Sequence, residues 1–277
     1  MKKHIVIIVV GLVMLDILAW GDIILGTFGK RLELYFFDVG QGDSEMIVMP
    51  GNVKLMIDGG PDNGKAVEQI DNIMPWHDRY IDLVMISHAE LDHFGGLLDV
   101  LKRYKVGAFI YNGKGNNSES FKELAVIIKE RNIPVIVVGE GDSIAYASST
   151  VDIVSAGGAS RNEGAIVAKF TGGGASALYT GDIGEETELQ LAKEKNIKAD
   201  VLKIAHHGSK FSSNKRFLEA VDPKITVIEV GKNSYGHPTD IVLERIKQLG
   251  ARLFRTDMNG MVRLVVEDGM IRQYKMK

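Results

Sequence analysis

The chain has 277 residues, 45% hydrophobic and 25% charged, which is enough apolar material for a deep globular core without covalent staples. Its 33 basic and 36 acidic side chains leave a formal net charge of −3, which excludes a bulk attraction to nucleic acid or anionic lipid, so any basic patch has to be local. There is no cysteine, which excludes disulfides and thiolate metal sites and leaves histidine and carboxylate to hold any metal.

Met1-Lys2-Lys3-His4 precedes an apolar run from Ile5 to Leu15, which Asp16 interrupts before ILAW continues to Trp20. A basic start followed by such a run has the shape of a signal peptide; uncleaved, it makes a short anchor beside the roughly 20 residues a spanning helix needs. With Lys2 and Lys3 inside, the rest of the chain faces outward. Residues 1–30 are therefore expected to be a signal peptide or membrane anchor and 31–277 a single domain, either anchored facing outward or secreted. The N-terminal segment is its expected tie to the membrane, and no protein partner can be inferred.

From Arg31 the pattern alternates. Leu32–Phe37, EMIVM and KLMI predict strands around Pro50-Gly51, and Lys65–Met74 has helical spacing closed by Pro75. Leu83–Ser87 is an almost wholly apolar strand that stops at a histidine, and LLDVLKRY after Gly95-Gly96 predicts a short helix. Strand Val106–Tyr111, helix Ser118–Arg131 and strand Pro134–Val138 follow. The second half repeats the theme: strands at Val151–Ser155, Ala165–Thr171 and Ala175–Tyr179, helix Glu185–Glu194, strand Asp200–Ile204, a helix near Asn214–Ala220 and strand Ile225–Val230. Helix Asp240–Leu249 and strands near Leu253 and Met261–Val266 close the chain. A hairpin-rich opening followed by βα units, repeated once, predicts an α/β fold of two mixed sheets face to face with helices outside.

The densest chemical signal is SHAELDHFGG, Ser87 to Gly96, where His88, Glu90, Asp92 and His93 follow an apolar strand and precede a helix. Imidazole and carboxylate are what divalent Zn, Mn or Fe accept, and these four side chains read better as two half-sites than as one closed shell. Other candidates also stand at predicted strand ends: His206 and His207 in VLKIAHHGS, His237 in SYGHP, Asp182 in YTGDI and Asp58 in MIDGG. A set of strand-end ligands converging on one edge is harder to explain as turn chemistry than any one of them alone.

These residues resemble the metallo-β-lactamase superfamily. The stretches FFDVGQGDS (Phe36–Ser44), MIDGG, SHAELDHFGG, YTGDI, HHGSK (His206–Lys210) and SYGHP, with Asn162 and Glu163, are similar to the hydrolase domain of ComEC-type competence proteins, from about Leu32 to Phe254. The resemblance implies an αββα sandwich with two divalent metal ions, Zn or Mn, at its edge. It assigns His88 and Glu90 to one metal, Asp92, His93 and His237 to the other, and Asp182 between them. His206 or His207 completes the shell of the first metal or donates a proton to the substrate, Asp58 orients ligands, and Asp43, Asn162 and Lys210 lie near the substrate. Two departures stand out. Glu90 occupies a position usually taken by His in the superfamily and by Asp in the ComEC-like branch, and no histidine lies between His93 and Asp182.

The expected activity is metal-dependent hydrolysis of a phosphodiester, with single-stranded DNA outside the membrane as the candidate substrate. Lys203, Lys210, Lys215, Arg216 and Lys232 are candidates for phosphate contacts. Two alternatives remain: a cell-envelope phosphoesterase resembling phosphorylcholine esterases, and a diiron oxygen or nitric oxide reductase, which the H-x-E-x-D-H spacing also resembles.

Overall fold

A computed structural model describes residues 9–17, 31–158, 162, 164–267 and 269–274. Most of the expected leader, residues 1–8 and 18–30, lies outside the described residues, as does Glu163; residues 9–17 are helical. Among the described residues no helix is long and apolar enough to cross a membrane.

Two mixed sheets face each other. The first runs in the order β15 (Met270–Tyr274), β14 (Val262–Glu267), β1 (Leu32–Phe36), β2 (Glu45–Met49), β3 (Val53–Ile57), β4 (Tyr80–Met85), β5 (Lys105–Tyr111), β6 (Val135–Val137). The second runs β13 (Arg252–Arg255), β12 (Ile225–Ile228), β11 (Val201–Lys203), β10 (Ala175–Tyr179), β9 (Val167–Gly172), β8 (Ser149–Ser155), β7 (Ser143–Tyr146). Period-two alternation decides which side chains go where. In β1, Leu34 and Phe36 point into the layer between the sheets with Ile47, Ile57, Phe170 and Val227, whereas Tyr35 points outward to the first sheet's helices with Met46, Met56 and Leu97. The helices of the second half, Glu185–Glu194, Lys215–Val221 and Asp240–Leu249, cover the other outer face through Leu191, Leu218 and Ile246. This is the layered sandwich the alternation predicts.

Local signals explain the element starts. Ser118 Oγ accepts from the Phe121 amide at 3.2 Å and caps the Glu119–Glu130 helix, and Asn214 Oδ1 accepts from the Arg216 amide at 2.9 Å and caps Lys215–Val221. What positions the site is strand direction. β3 and β4 are parallel, and so are β10, β11 and β12, so the C-terminal ends of each group share one edge of their sheet. At that edge the two sheets are tied together by the Ile166 amide, which donates to the Ser87 carbonyl at 2.8 Å.

Candidate metal centre

Asp58 leaves the end of β3, Ser87 and His88 the end of β4, Asp182 follows β10, and His206 and His207 follow β11. Close backbone packing holds these loops in place. A Cβ on Gly96 would sit 2.1 Å from the Gly59 carbonyl oxygen, and one on Gly42 would sit 2.2 Å from that of Asp92. The FGG and QGD glycines thus let the histidine cluster press against the loops carrying Asp58 and Asp43. Asp58, His206 and His207 adopt left-handed backbone, with φ of 54°, 52° and 52°. Each costs about 1–3 kcal/mol in a non-glycine residue, the kind of strain that collects where side chains are aimed for chemistry.

Three imidazoles are wired alike. His93 Nδ1 donates to Asp58 Oδ2 at 2.8 Å and His207 Nδ1 to the Glu229 carbonyl at 2.9 Å. His88 Nδ1 donates to Ser87 Oγ at 3.0 Å, and that hydroxyl donates onward to Asp58 Oδ2 at 2.6 Å, while the Ser87 amide donates to Asp58 Oδ1 at 2.7 Å. With every Nδ1 engaged as donor, each Nε2 is the ring nitrogen left to face the centre. The Nε2 atoms of His88, His93 and His207 and Oδ1 of Asp182 are all buried without a hydrogen-bond partner. Orphaned buried polar atoms are costly unless something outside the chain satisfies them.

The four point at one another. Ligand atoms of His88, His93 and Asp182 lie within 4.8 Å of one another, as do those of Asp92, His93 and His207, and those of Asp43, Asp182 and His207. His93 Nε2 is 3.4 Å from Asp182 Oδ1, and His207 Nε2 is 3.5 Å from Asp92 Oδ2. This donor set fits divalent cations: neutral imidazole nitrogens and carboxylates, each imidazole oriented through its far nitrogen.

Charge in the metal-free site follows the same geometry. Burial and the neighbouring His93 push His88 down to about 3, so its ring is neutral at any ordinary pH. Burial alone would also lower His93 and His207, but the surrounding carboxylates, Asp182 foremost, outweigh it and hold His93 well above its usual range and His207 at about 10. Burial opposes ionisation of Asp182 and Asp92 as well, and the two imidazoles overcome it, taking Asp92 to about 2.

The other expected site residues divide. Glu90 and His237 belong to none of these ligand groupings among the described residues. Glu90 precedes the short Leu91–Phe94 helix as its cap residue. His237 is half-buried with its ring 5.7 Å from that of His206, and burial followed by His206 and His207 lowers its pKa. His206 is partly exposed, with Nε2 3.7 Å from Asp182 Oδ2. Asn162 and His206 line a cavity of about 330 Å³ together with Asp182, Gly184, Glu185, Glu186 and Phe211. Lys210 is exposed on the loop next to Phe211.

Asp43 and Lys203 require relocation. Asp43, expected near the substrate, is fully buried beneath the ligands, where it bonds Lys203 and lies 3.2 Å from His207 Nδ1. Lys203, considered for a phosphate, is fully buried too; its ammonium bonds Asp43 and the Gly181 carbonyl at 3.3 Å, so it holds together loops from both sheets instead of meeting solvent. The buried acids Glu45 and Glu229 sit beside it. Burial raises the pKa of both, and Asp43 adds repulsion to each. Sequence reasoning passed over Ser87, Glu45 and Glu229; a lone charge inside an apolar strand end, as in VLKIA and TVIEV, was the available signal.

Comparison with known proteins agrees with this geometry. Residues 38–231 match the model of the metallo-beta-lactamase superfamily. The chain is 30% identical over 258 residues to ComE operon protein 3 of Bacillus subtilis, covering 83% of this chain and 32% of that protein. It is 29% identical over 248 residues to competence protein ComA of Neisseria gonorrhoeae, covering 87% and 33%. The chain thus spans about a third of the length of these relatives. Among solved structures, the metallo-beta-lactamase fold protein YhfI from Bacillus subtilis superposes with a TM-score of 0.59 at 11% identity, covering 84% of this chain and all of that one. The chain belongs to the metallo-beta-lactamase superfamily and is related within it to competence proteins.

Proposed function

We propose that the chain is a metal-dependent phosphodiesterase with two divalent ions, Zn or Mn, and that it cleaves single-stranded DNA outside the membrane. The observation that carries this reading is the set of orphaned Nε2 atoms on His88, His93 and His207 converging on Asp182, each imidazole fixed from behind. Cations held there by these residues would supply a nucleophilic water at neutral pH and neutralise charge on a phosphoester. The chain's own residues orient and protonate. Asp58 and Ser87 hold His88 and His93, and the Glu229 carbonyl and Asp43 hold His207. Since His207 is wired as a ligand, His206 at the cavity wall is left to give a proton to the departing oxygen. Relatedness to competence proteins supports DNA, and the apolar run Ile5–Leu15 supports outward placement.

The test is cleavage of a single-stranded oligonucleotide and of a small phosphodiester, by protein stripped with chelator and then reloaded with Mn or Zn. Strand cleavage that needs the metal and disappears in the H88A/D92A double variant is the expected result. Cleavage of the small ester alone moves the reading to an envelope phosphoesterase. Bound iron with oxygen consumption moves it to redox chemistry, and undiminished turnover in the double variant refutes the assignment.

A further inference from the structure

The cavity beside the metal centre has an uneven wall. Asp182 from the ligand set, the acids Glu185 and Glu186 and the apolar ring of Phe211 all line it. A phosphate placed among those carboxylates would be repelled, whereas the amino groups of a nucleobase are donors that carboxylates accept. The volume of about 330 Å³ is at the small end of ligand-sized sites.

Phe211 is 66% exposed and Tyr235 73% exposed, both unusual for large aromatic rings. Each stands next to the centre. Phe211 shares the cavity with His206, and the Tyr235 ring lies 5.7 Å from that of His237, itself 5.7 Å from His206. Neither ring rides on a slack loop. Asn233 accepts from the amides of Tyr235 and His237 at 3.1 and 3.0 Å and donates to the carbonyls of Gly231 and His237 at 2.9 and 2.8 Å. The Phe211 carbonyl accepts from the Glu185 amide at 2.9 Å, and Ser212 Oγ beside it bonds the Ala205 carbonyl at 2.9 Å. Exposed π-faces carried on loops whose backbone is anchored in this way are suited to stacking. Cations accompany both: Lys210 Nζ lies 5.0 Å from the Phe211 ring centre, and the exposed Lys232 precedes Tyr235 by three residues.

We propose that this cavity is a nucleobase subsite and that Phe211 and Tyr235 are the platforms on which unpaired bases flanking the scissile phosphate stack. The proposal rests on the phosphodiesterase reading for the position of that phosphate, and it adds what selects the strand. Phosphates meet the ligand set, Lys210 and Lys232; bases turn towards the aromatic rings. A duplex keeps its bases stacked on one another and cannot use the platforms.

The experiment compares three fluorescent phosphorothioate probes of equal length on the metal-loaded full chain by anisotropy: a mixed-sequence single strand, the same backbone with abasic residues, and a duplex. Cleavage of the matching phosphodiester strands is measured in parallel, and the single strand is made in deoxyribose and ribose forms. Stacking is expected to favour the based strand over the abasic one by about tenfold or more. F211A and Y235A should each cut that ratio several-fold, and F211W should retain it. Because both rings are exposed, unchanged thermal unfolding checks that these variants fold. Equal binding of based and abasic strands by the wild type overturns the proposal, as does an unaltered ratio in both variants or displacement of the probe by phosphocholine. Base preference without any cleavage would sink the hydrolase reading while leaving the subsite; cleavage without base preference would do the reverse.

Discussion

The two sheets contribute to one centre in different ways. The first sheet supplies Asp58, Ser87, His88 and His93, all buried and joined in one chain of hydrogen bonds that ends on Asp58. The second sheet supplies buried Asp182 and His207, but also partly exposed His206, half-buried His237 and the open rings of Phe211 and Tyr235. One arm is built to hold and the other to receive. A site made this way can keep its ligands in a rigid, water-poor setting while the facing arm admits a substrate.

Breaking the holding arm should have the largest effect. His88→Ala removes an imidazole whose Nε2 faces the centre, and it is expected to abolish bound metal and reduce turnover by about 10⁴-fold or more, measured by elemental analysis and steady-state rates. His206→Ala, on the receiving arm, should keep the metal and lose about 10²–10⁴-fold in kcat, with the loss shrinking for substrates that have a better leaving group. If His206→Ala instead strips the metal, the division between the arms is wrong.

Lys203 joins the arms, and its removal tests them jointly. Lys203→Met leaves Asp43 buried without its ammonium partner and should destabilise the fold by about 3–5 kcal/mol in chemical denaturation. Asp58→Asn is milder. The carboxylate that receives His93 Nδ1 and Ser87 Oγ becomes an amide, and metal affinity is expected to fall about 10–100-fold with the fold intact.

The last test changes pH instead of a residue. In the metal-free protein His207 has a folded pKa of about 10 against an ordinary 6.5. Its contribution to stability is complete below pH 6.5 and is lost as pH rises towards about 10, since in that window the folded state keeps a proton the unfolded chain has released. Metal must displace that proton, so binding should release protons at neutral pH and tighten as pH rises. Calorimetry in buffers of different ionisation enthalpy reads the release directly; binding with no proton release would contradict the charge state drawn for His93 and His207.

Much of this was legible in the chain itself, for physical reasons. Apolar strands that stop at Asp58, His88, Asp182 and His206 announce an edge, because parallel strands bring their ends together. The helices expected from Ser118 and near Asn214 each begin one residue later, with those two side chains as their caps. The hairpin strand β7 and the last strand β15 were missed; both are short and partly exposed, so neither carries a strong period. Which side of the protein a charge faces was also hidden. Lys203 looks like Lys210 in sequence, yet a strand end buries the first and a loop exposes the second. Likewise His206 and His207 are adjacent and chemically identical, yet one lines the cavity and the other is buried with its Nδ1 on the Glu229 carbonyl.

The central claim is that the converging Nε2 atoms hold divalent cations. Its most direct test is equilibrium binding of Zn and Mn to the chelator-stripped full chain, followed by elemental stoichiometry and repeated on His88→Ala and His207→Ala. The account predicts two ions per wild-type chain and loss of binding in both variants. A wild-type chain that takes up neither ion, or variants that bind as well as the wild type, would contradict it.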